Sequence, residues 1–280
     1  MTGTSGLGRE TINQLAQHGT PRIFFTGRNA KAADETIQAA KALNAKADVT
    51  FVDCDFSDLK SVAAAANRIK GAISGLDLLF CNAGIMAVPA ALSKDGYEVQ
   101  FAVNHIAHAL LVNKLLPALQ RTSQQGGDAR VIISSSLGFK LAGGIAFDTL
   151  NTTQEAYIMG GLSRYSQSKL ANILYSAELS RRHPDITFVS IHPGVIKTGI
   201  VTGLSTFYRY FTEILTIWQQ VSVEEGVKNQ LWAASTEKAA IENGAFYEPV
   251  GKPGVQTAAS KDTKLAEDLY EWTEKAIAEY

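Results

Sequence analysis

The chain has 280 residues, enough for one large α/β domain or two small ones and for a sizeable core. Its 26 lysines and arginines against 27 aspartates and glutamates leave a net charge of −1, which removes the electrostatic case for a nucleic-acid or anionic-membrane partner and leaves a small molecule. Hydrophobic residues at 46% and charged residues at 19% exclude a disordered or collagen-like chain. The two cysteines, Cys54 and Cys81, lie in apolar runs and exclude a disulfide framework, which fits a reducing, cytoplasmic setting.

The first ten residues carry no apolar stretch, so no signal peptide or transmembrane anchor is expected there. Gly3-Thr4-Ser5-Gly6-Leu7-Gly8 runs straight into a helical pattern near 8–18. Short β-rich runs follow at 23–26, 49–52, 76–80, 131–134 and 187–191, separated by helical patterns near 30–44, 58–73, 95–121 and 160–183. Two more helical patterns lie near 223–235 and 261–279. Nearly continuous apolar strands alternating with helices predict a doubly wound α/β fold, a mostly parallel sheet covered on both faces. No repeat, low-complexity tract or linker interrupts it, so residues 1–280 read as a single domain. Such folds open with a strand that delivers the glycine turn, yet nothing precedes these glycines. The first strand is missing from the sequence.

Glycines at that turn let helix amides face a pyrophosphate. Arg28 lies 20 residues past Gly8, after an apolar strand, where a dinucleotide fold places the residue that reads the ribose. An arginine there pairs with a 2′-phosphate, which favours NADP(H) over NAD(H). Tyr165 and Lys169 are four apart on one helix face, a spacing that chance also produces. Context supplies the specificity. Asn82-Ala83-Gly84 ends one strand, Asn104 opens a long helical segment, Ser134-Ser135-Ser136 ends another strand, and Pro193-Gly194 with Thr198 ends a fourth. In a doubly wound sheet these ends line one crevice. The histidines have no metal-ligand spacing and the cysteines no C-x-x-C partner, so no metal is expected.

With these residues in place, the chain resembles the short-chain dehydrogenase/reductase (SDR) family. The narrower likeness is to its retinol-dehydrogenase-like and fungal oxidoreductase branch, and rests on Tyr165-Ser-Gln-Ser-Lys-Leu-Ala-Asn172, His192-Pro-Gly194 and the long segment between Ser136 and Tyr165. The resemblance implies a catalytic tetrad of Asn104, Ser136, Tyr165 and Lys169, with Ser135 as the alternative to Ser136. It implies Gly3, Ser5, Gly6, Leu7 and Gly8 at the pyrophosphate, Asp55 and Phe56 at the adenine, and Asn82, Ala83 and Gly84 at the adenosine ribose. Lys114 in the long helix is a further cofactor contact, and Pro193, Gly194, Val195 and Thr198 approach the nicotinamide end. The implied reaction is hydride transfer interconverting a carbonyl and a primary or secondary alcohol on an apolar small molecule, in the setting of secondary metabolism.

Residues 198–220 are rich in aromatics, among them Phe207, Tyr208, Tyr210, Phe211 and Trp218, and read as a lid over that substrate. The same residues also suit peripheral membrane contact, core packing or a dimer contact. The family implies a homodimer through the segments near 95–121 and 160–183. One departure stands out. The family's Thr-Gly-x-x-x-Gly-x-Gly, aligned back from Gly8, falls on Met1 and Thr2, and aligned forwards from Thr2-Gly3 it lacks one residue, so either way part of the pyrophosphate turn is lost with the first strand. Its loss leaves the two flanking strands without a partner, which motivates the alternative of a non-catalytic nucleotide-binding or interaction protein derived from an SDR.

Overall fold

The structure is a computed structural model that describes residues 1–157, 159–196 and 220–280. Several helices begin where a short polar side chain accepts an amide of the first turn. Asn29 accepts from Ala32 ahead of α2 (Ala30–Leu43), and Asp58 accepts from Ser61 ahead of α3 (Leu59–Ala72). The helix before them, α1 (Gly6–Gln17), has no such side chain at its start. The long central helix begins as α4 (Val99–Phe101), passes through a π-helical turn at Ala102–Ile106 and continues as α5 (Ala107–Gln124). It is followed by α6 (Gly161–Arg182), α7 (Val223–Ser235) and α8 (Thr263–Ile277).

The strands β1 (Arg22–Gly27) and β2 (Asp48–Asp53) pair in parallel, Arg22 opposite Asp48 through Gly27 opposite Asp53. A second ladder joins β3 (Leu78–Cys81), β4 (Arg130–Ser134) and β5 (Thr187–Ile191) in parallel. The short pair β6 (Val195–Ile196) and β7 (Gln220–Val221) is also parallel. Beyond β5 the sheet adds β8 (Phe246–Glu248) in parallel and β9 (Lys252–Pro253) antiparallel. These late strands of two or three residues are too short to show a period, and the sequence reading did not place them.

Alternation along the strands feeds both faces. Phe80, Ile132, Val189 and Ile191 pack with Ala233 of α7, while Cys81, Val131, Ile133 and Phe188 pack with residues of α3, α5 and α6. Around β1 and β2, Ile23, Phe25 and Val49 pack with Ile12 of α1 and Ala33 and Ala40 of α2. Helices therefore cover both sides, the arrangement of a doubly wound α/β fold. No described helix is long and apolar enough to cross a membrane.

No ladder joins β1 to β3. Residues 1–3 occupy one end of the interval. Thr26 N–H donates to the Met1 carbonyl at 2.7 Å and Gly3 N–H donates to the Thr26 carbonyl at 3.0 Å, forming a parallel bridge between Thr2 and Thr26. On the other flank, Thr2 N–H donates to Asn82 Oδ1 at 3.0 Å and Asn82 Nδ2 donates to the Thr2 carbonyl at 2.9 Å. Behind Met1 lies a cleft of about 120 Å³, lined by Leu15, Ile23, Phe24, Leu78, Phe80, Leu111 and Leu115 among others. The two flanking strands lack a common partner, as the missing first strand implies, and residues 1–3 bridge them only at the carboxyl end, through Thr26 and the Asn82 side chain; Arg22 of β1 and Leu78 and Phe80 of β3 stay open on that side.

Candidate active site

The four tetrad positions come from three different elements. Asn104 sits in the π-helical turn, fully buried. Such single turns widen the helix locally and recur at functional sites. Its Oδ1 accepts from Ile85 N–H at 2.8 Å, and its Nδ2 donates to the Ile85 carbonyl at 2.9 Å and to Ser168 Oγ at 2.9 Å. Its own carbonyl meets His108 Nδ1 at 3.0 Å. A Cβ on Gly84 would lie 3.3 Å from Asn104 Oδ1 and 3.5 Å from Lys169 Nζ, so the β3 loop, Asn104 and Lys169 converge.

Ser136 caps the short 3-10 helix after β4, with its Oγ accepting from Gly138 N–H at 3.2 Å. Burial pushes the Tyr165 phenol above its ordinary range, and a side-chain hydrogen bond with Ser136 pulls it back in part. Ser135 points elsewhere: its hydroxyl donates to the Lys169 carbonyl at 2.8 Å and ties β4 to α6. The structure therefore sets Ser136, not Ser135, against Tyr165. Lys169 is buried, donates to the Ser134 carbonyl at 3.1 Å and lies 5.6 Å from the centre of the Tyr165 ring. Desolvation lowers its ammonium to about 8.

Sequence reasoning missed several supporting groups. Asn172 Nδ2 donates to the same Ser134 carbonyl at 3.0 Å, and Asn172 Oδ1 meets His105 Nδ1 at 3.3 Å. Their signal was positional: Ser168 and Asn172 lie three and seven residues after Tyr165, on the face that carries Lys169.

On the cofactor side, the first turn of α1 has neither a capping side chain nor an acidic residue, so its free amides are available to an anion. Gly6 takes φ of 51°, and a Cβ on Gly8 would fall 1.7 Å from the Thr2 carbonyl oxygen. Gly8 is what allows α1 to seat on residues 1–3. Beyond β1, the Arg28 side chain is 74% exposed, with its guanidinium 3.9 Å from Asp55 Oδ1. Burial works to raise the Asp55 carboxyl, but bonds from Ser57 and the Arg28 charge hold it below its ordinary range. These groups fit a dinucleotide: uncapped amides for the pyrophosphate and, beyond β1, the exposed Arg28 beside Asp55.

Phe56 is buried, its ring 5.1 Å from that of His108, which leaves only its backbone for an adenine contact. Lys114 lies ten residues after Asn104, about 15 Å along a helix that runs toward the start of β3. Thr198 and the expected lid lie outside the described residues, save Gln220 in β7. Val195 is in β6, and Pro193 and Gly194, the latter at φ of 94°, follow β5 at the same edge. Among the described residues no group of three His, Cys, Asp or Glu could hold a metal ion.

A parallel sheet whose carboxyl edge carries a free helix N-terminus and a Ser-Tyr-Lys cluster defines a dinucleotide-dependent oxidoreductase. The short chain dehydrogenase family model matches residues 1–147. The chain is 32% identical to the short-chain dehydrogenase/reductase drtF of Aspergillus calidoustus, over 98% of this chain and 91% of that protein. It is also 32% identical to mouse retinol dehydrogenase 11, over 88% of this chain and 76% of that protein. A solved structure of NADPH-bound carbonyl reductase from chicken fatty liver matches with a TM-score of 0.67 and 26% identity, over 90% of this chain and 96% of that one. The chain belongs to the short-chain dehydrogenase/reductase family, in its retinol-dehydrogenase-like branch.

Proposed function

We propose that the protein is an NADP(H)-dependent oxidoreductase that interconverts a carbonyl and a primary or secondary alcohol on an apolar small molecule, with residues 1–280 as one domain and 198–220 as its lid. The observation that carries this reading is the convergence of the Ser136 hydroxyl, the Tyr165 phenol and the Lys169 ammonium beside Gly84, after β3, and Ser134, at the end of β4. Arg28 supports the choice of NADP(H), as does the NADPH held by the chicken carbonyl reductase.

Gly3, Ser5, Gly6, Leu7 and Gly8 would cradle the pyrophosphate, Arg28 the 2′-phosphate, and Asn82 and Gly84 the adenosine side. Bound NADPH supplies the hydride. Reduction leaves negative charge on the substrate oxygen, and two donors meet it: Ser136 Oγ–H holds that oxygen, and Tyr165 Oη gives it a proton. Lys169 Nζ lies 5.6 Å from the centre of the Tyr165 ring, so its positive charge would favour the ionised phenol against the upward push of burial. Lys169 is kept in place by the Ser134 carbonyl, and Asn104 is fixed by Ile85 and Ser168.

The test is a fluorescence titration of the purified chain with NADPH and NADH, followed by turnover of a medium-chain aldehyde and an aromatic ketone. Tighter binding of NADPH and its oxidation in the presence of either carbonyl are the expected results. Equal affinity for both nucleotides would remove the NADP(H) assignment, and binding without turnover of any carbonyl or alcohol would remove the catalytic one.

A further inference from the structure

Beneath the crevice lies a charged pair that the chemistry above does not use. Glu98 is wholly buried and Arg164 is 3% exposed, with Arg164 Nε 3.3 Å from Glu98 Oε1. A buried pair of this kind is weak evidence for stability, since an apolar pair of similar volume often serves as well. Its connections point to another role. Glu98 Oε2 accepts from Phe101 N–H at 2.7 Å, at the start of the helix that carries Asn104. Arg164 immediately precedes Tyr165 in the first turn of α6. One pair therefore joins the beginnings of the two helices that deliver Asn104 and Tyr165.

The same guanidinium reaches two loops. Its Nη2 donates to the Val88 carbonyl at 3.1 Å and its Nη1 to the Gln154 carbonyl at 3.4 Å. Gln100, two residues from Glu98, repeats the connection: its Oε1 accepts from Ala87 N–H at 2.7 Å and its Nε2 donates to the Gly161 carbonyl at 2.9 Å. An independent observation falls on the same loops. Ala87 and Gln154 both take left-handed backbone, with φ of 52° and 50°, although neither is glycine. Such conformations persist where surrounding contacts over-determine them, and they gather at ligand clamps. Gln100 holds Ala87, and Arg164 joins Thr149, Thr152 and Gln167 in holding Gln154. A Cβ on Gly161 would fall 2.8 Å from Ala87 Cα, so the loop and the start of α6 are in direct contact.

We propose that Glu98 and Arg164 are positioning residues, which lock the first turns of the Asn104 and Tyr165 helices to each other and to the loops at Ala87–Val88 and Gln154, and so fix the Tyr165 hydroxyl against Ser136. The proposal rests on the oxidoreductase reading for its kinetic consequence, though not for its structural one. Displacement of a reacting group by about 1 Å costs on the order of 100-fold in rate, so loosening this lock lowers kcat while the cofactor site, built on α1 and Arg28, keeps its affinity.

The experiment compares the parent chain with Glu98→Leu/Arg164→Met, which removes both charges and leaves none unpaired, and with Gln100→Leu, which leaves the pair intact. Three quantities are read: amide hydrogen exchange, NADPH affinity, and kcat with KM for the aromatic ketone. The double variant is expected to keep its Tm within several degrees and its NADPH Kd within about 2-fold. Exchange at Ala87, Phe101 and Tyr165 should rise at least about 10-fold, while Ser135 and Cys54 are unchanged, and kcat should fall about 10- to 100-fold with little change in KM. Gln100→Leu, which removes the acceptor of Ala87 N–H, should raise exchange at Ala87 and move Phe101 and Tyr165 by less than the double variant does. Unchanged exchange at those amides overturns the lock whether or not the chain is active, and increased exchange with parental kcat overturns its link to catalysis. A parent chain that turns over no carbonyl, with exchange changed as expected, counts against the oxidoreductase reading alone.

Discussion

At the scale of single residues, the run Ser134-Ser135-Ser136 separates three roles that the sequence leaves adjoining. Ser134 offers its carbonyl to Lys169 and Asn172, Ser135 its hydroxyl to the Lys169 carbonyl, and Ser136 its hydroxyl to Tyr165. Ser136→Ala is therefore expected to lower kcat about 100- to 1,000-fold, the range for losing one donor to a developing oxyanion. Ser135→Ala removes a buried bond of about 1 kcal/mol, so it should lower the Tm by a few degrees and leave kcat within about 3-fold. Steady-state kinetics beside a melting curve checks both, and a reversed pattern would move the substrate oxygen to Ser135. Arg28 presents an equally separable effect. Because it is largely exposed and makes only a 3.9 Å contact with Asp55, Arg28→Ala should cost almost no stability. It should weaken NADPH about 10- to 100-fold and leave NADH near its parental affinity, since charge-assisted bonds to phosphate are worth about 1.5–3 kcal/mol. Equal weakening of both nucleotides would show that Arg28 does not read the phosphate.

Among the elements, the interval between β1 and β3 yields the clearest expectation. In a parallel ladder alternate residues face each neighbour, so Thr26 is satisfied by Met1 and Gly3, and Phe24 O receives the Met1 amino group at 3.4 Å. Arg22 N–H and C=O and the edge of β3 at Leu78 and Phe80 have no strand on that side. The cleft is lined by Leu15 of α1 on one face and Leu111 and Leu115 of α5 on the other, so only a strand apolar on both faces suits it. A chain extended ahead of Met1 by four or five Val and Ile residues is expected to raise the Tm by about 5–15 °C, given about 1.5–3 kcal/mol per buried side chain less the cost of ordering each residue. An extension of Gly and Ser should leave the Tm unchanged, and equal effects of the two would mean that the cleft takes no strand. Elements with a period were legible in the sequence: β1, β2, β4 and β5 fall where apolar runs stand, and α2, α6 and α7 begin and end within a residue or two of their patterns. What was not legible has no local signal. The π-helical turn at Asn104 bonds to Ile85 and Ser168, 19 and 64 residues away, and Phe56, in the turn after β2, is buried against His108, 52 residues away. The Glu98–Arg164 pair, 66 residues apart, is likewise a product of the fold and not of spacing.

Over the whole molecule, buried histidines set the response to acid. His105, His108 and His192 are each less than about a tenth exposed, and desolvation lowers their imidazoles to about 4, about 3 and about 4. In the unfolded chain each titrates near 6.5. Above that pH both states are neutral and the histidines contribute no slope. As pH falls below 6.5, the unfolded chain takes up protons that the folded protein refuses, so stability is lost down to the folded values. Two pH units below 6.5 cost about 2.5 kcal/mol for each group, and three groups together reach about 7–8 kcal/mol, comparable with the whole 5–15 kcal/mol of a typical domain. Lys169, lowered to about 8, stays protonated in both states across this window and does not oppose the trend. The Tm is therefore expected to fall by roughly 15–25 °C between pH 7.0 and 4.5, and His108→Leu should remove about a third of that fall. The single variant matters because surface carboxylates also titrate near the acid end of the range: a steep fall that His108→Leu leaves untouched would assign acid sensitivity to carboxylates such as Asp55 and Asp58, whose folded values lie below their ordinary range, and not to the histidines beneath the crevice.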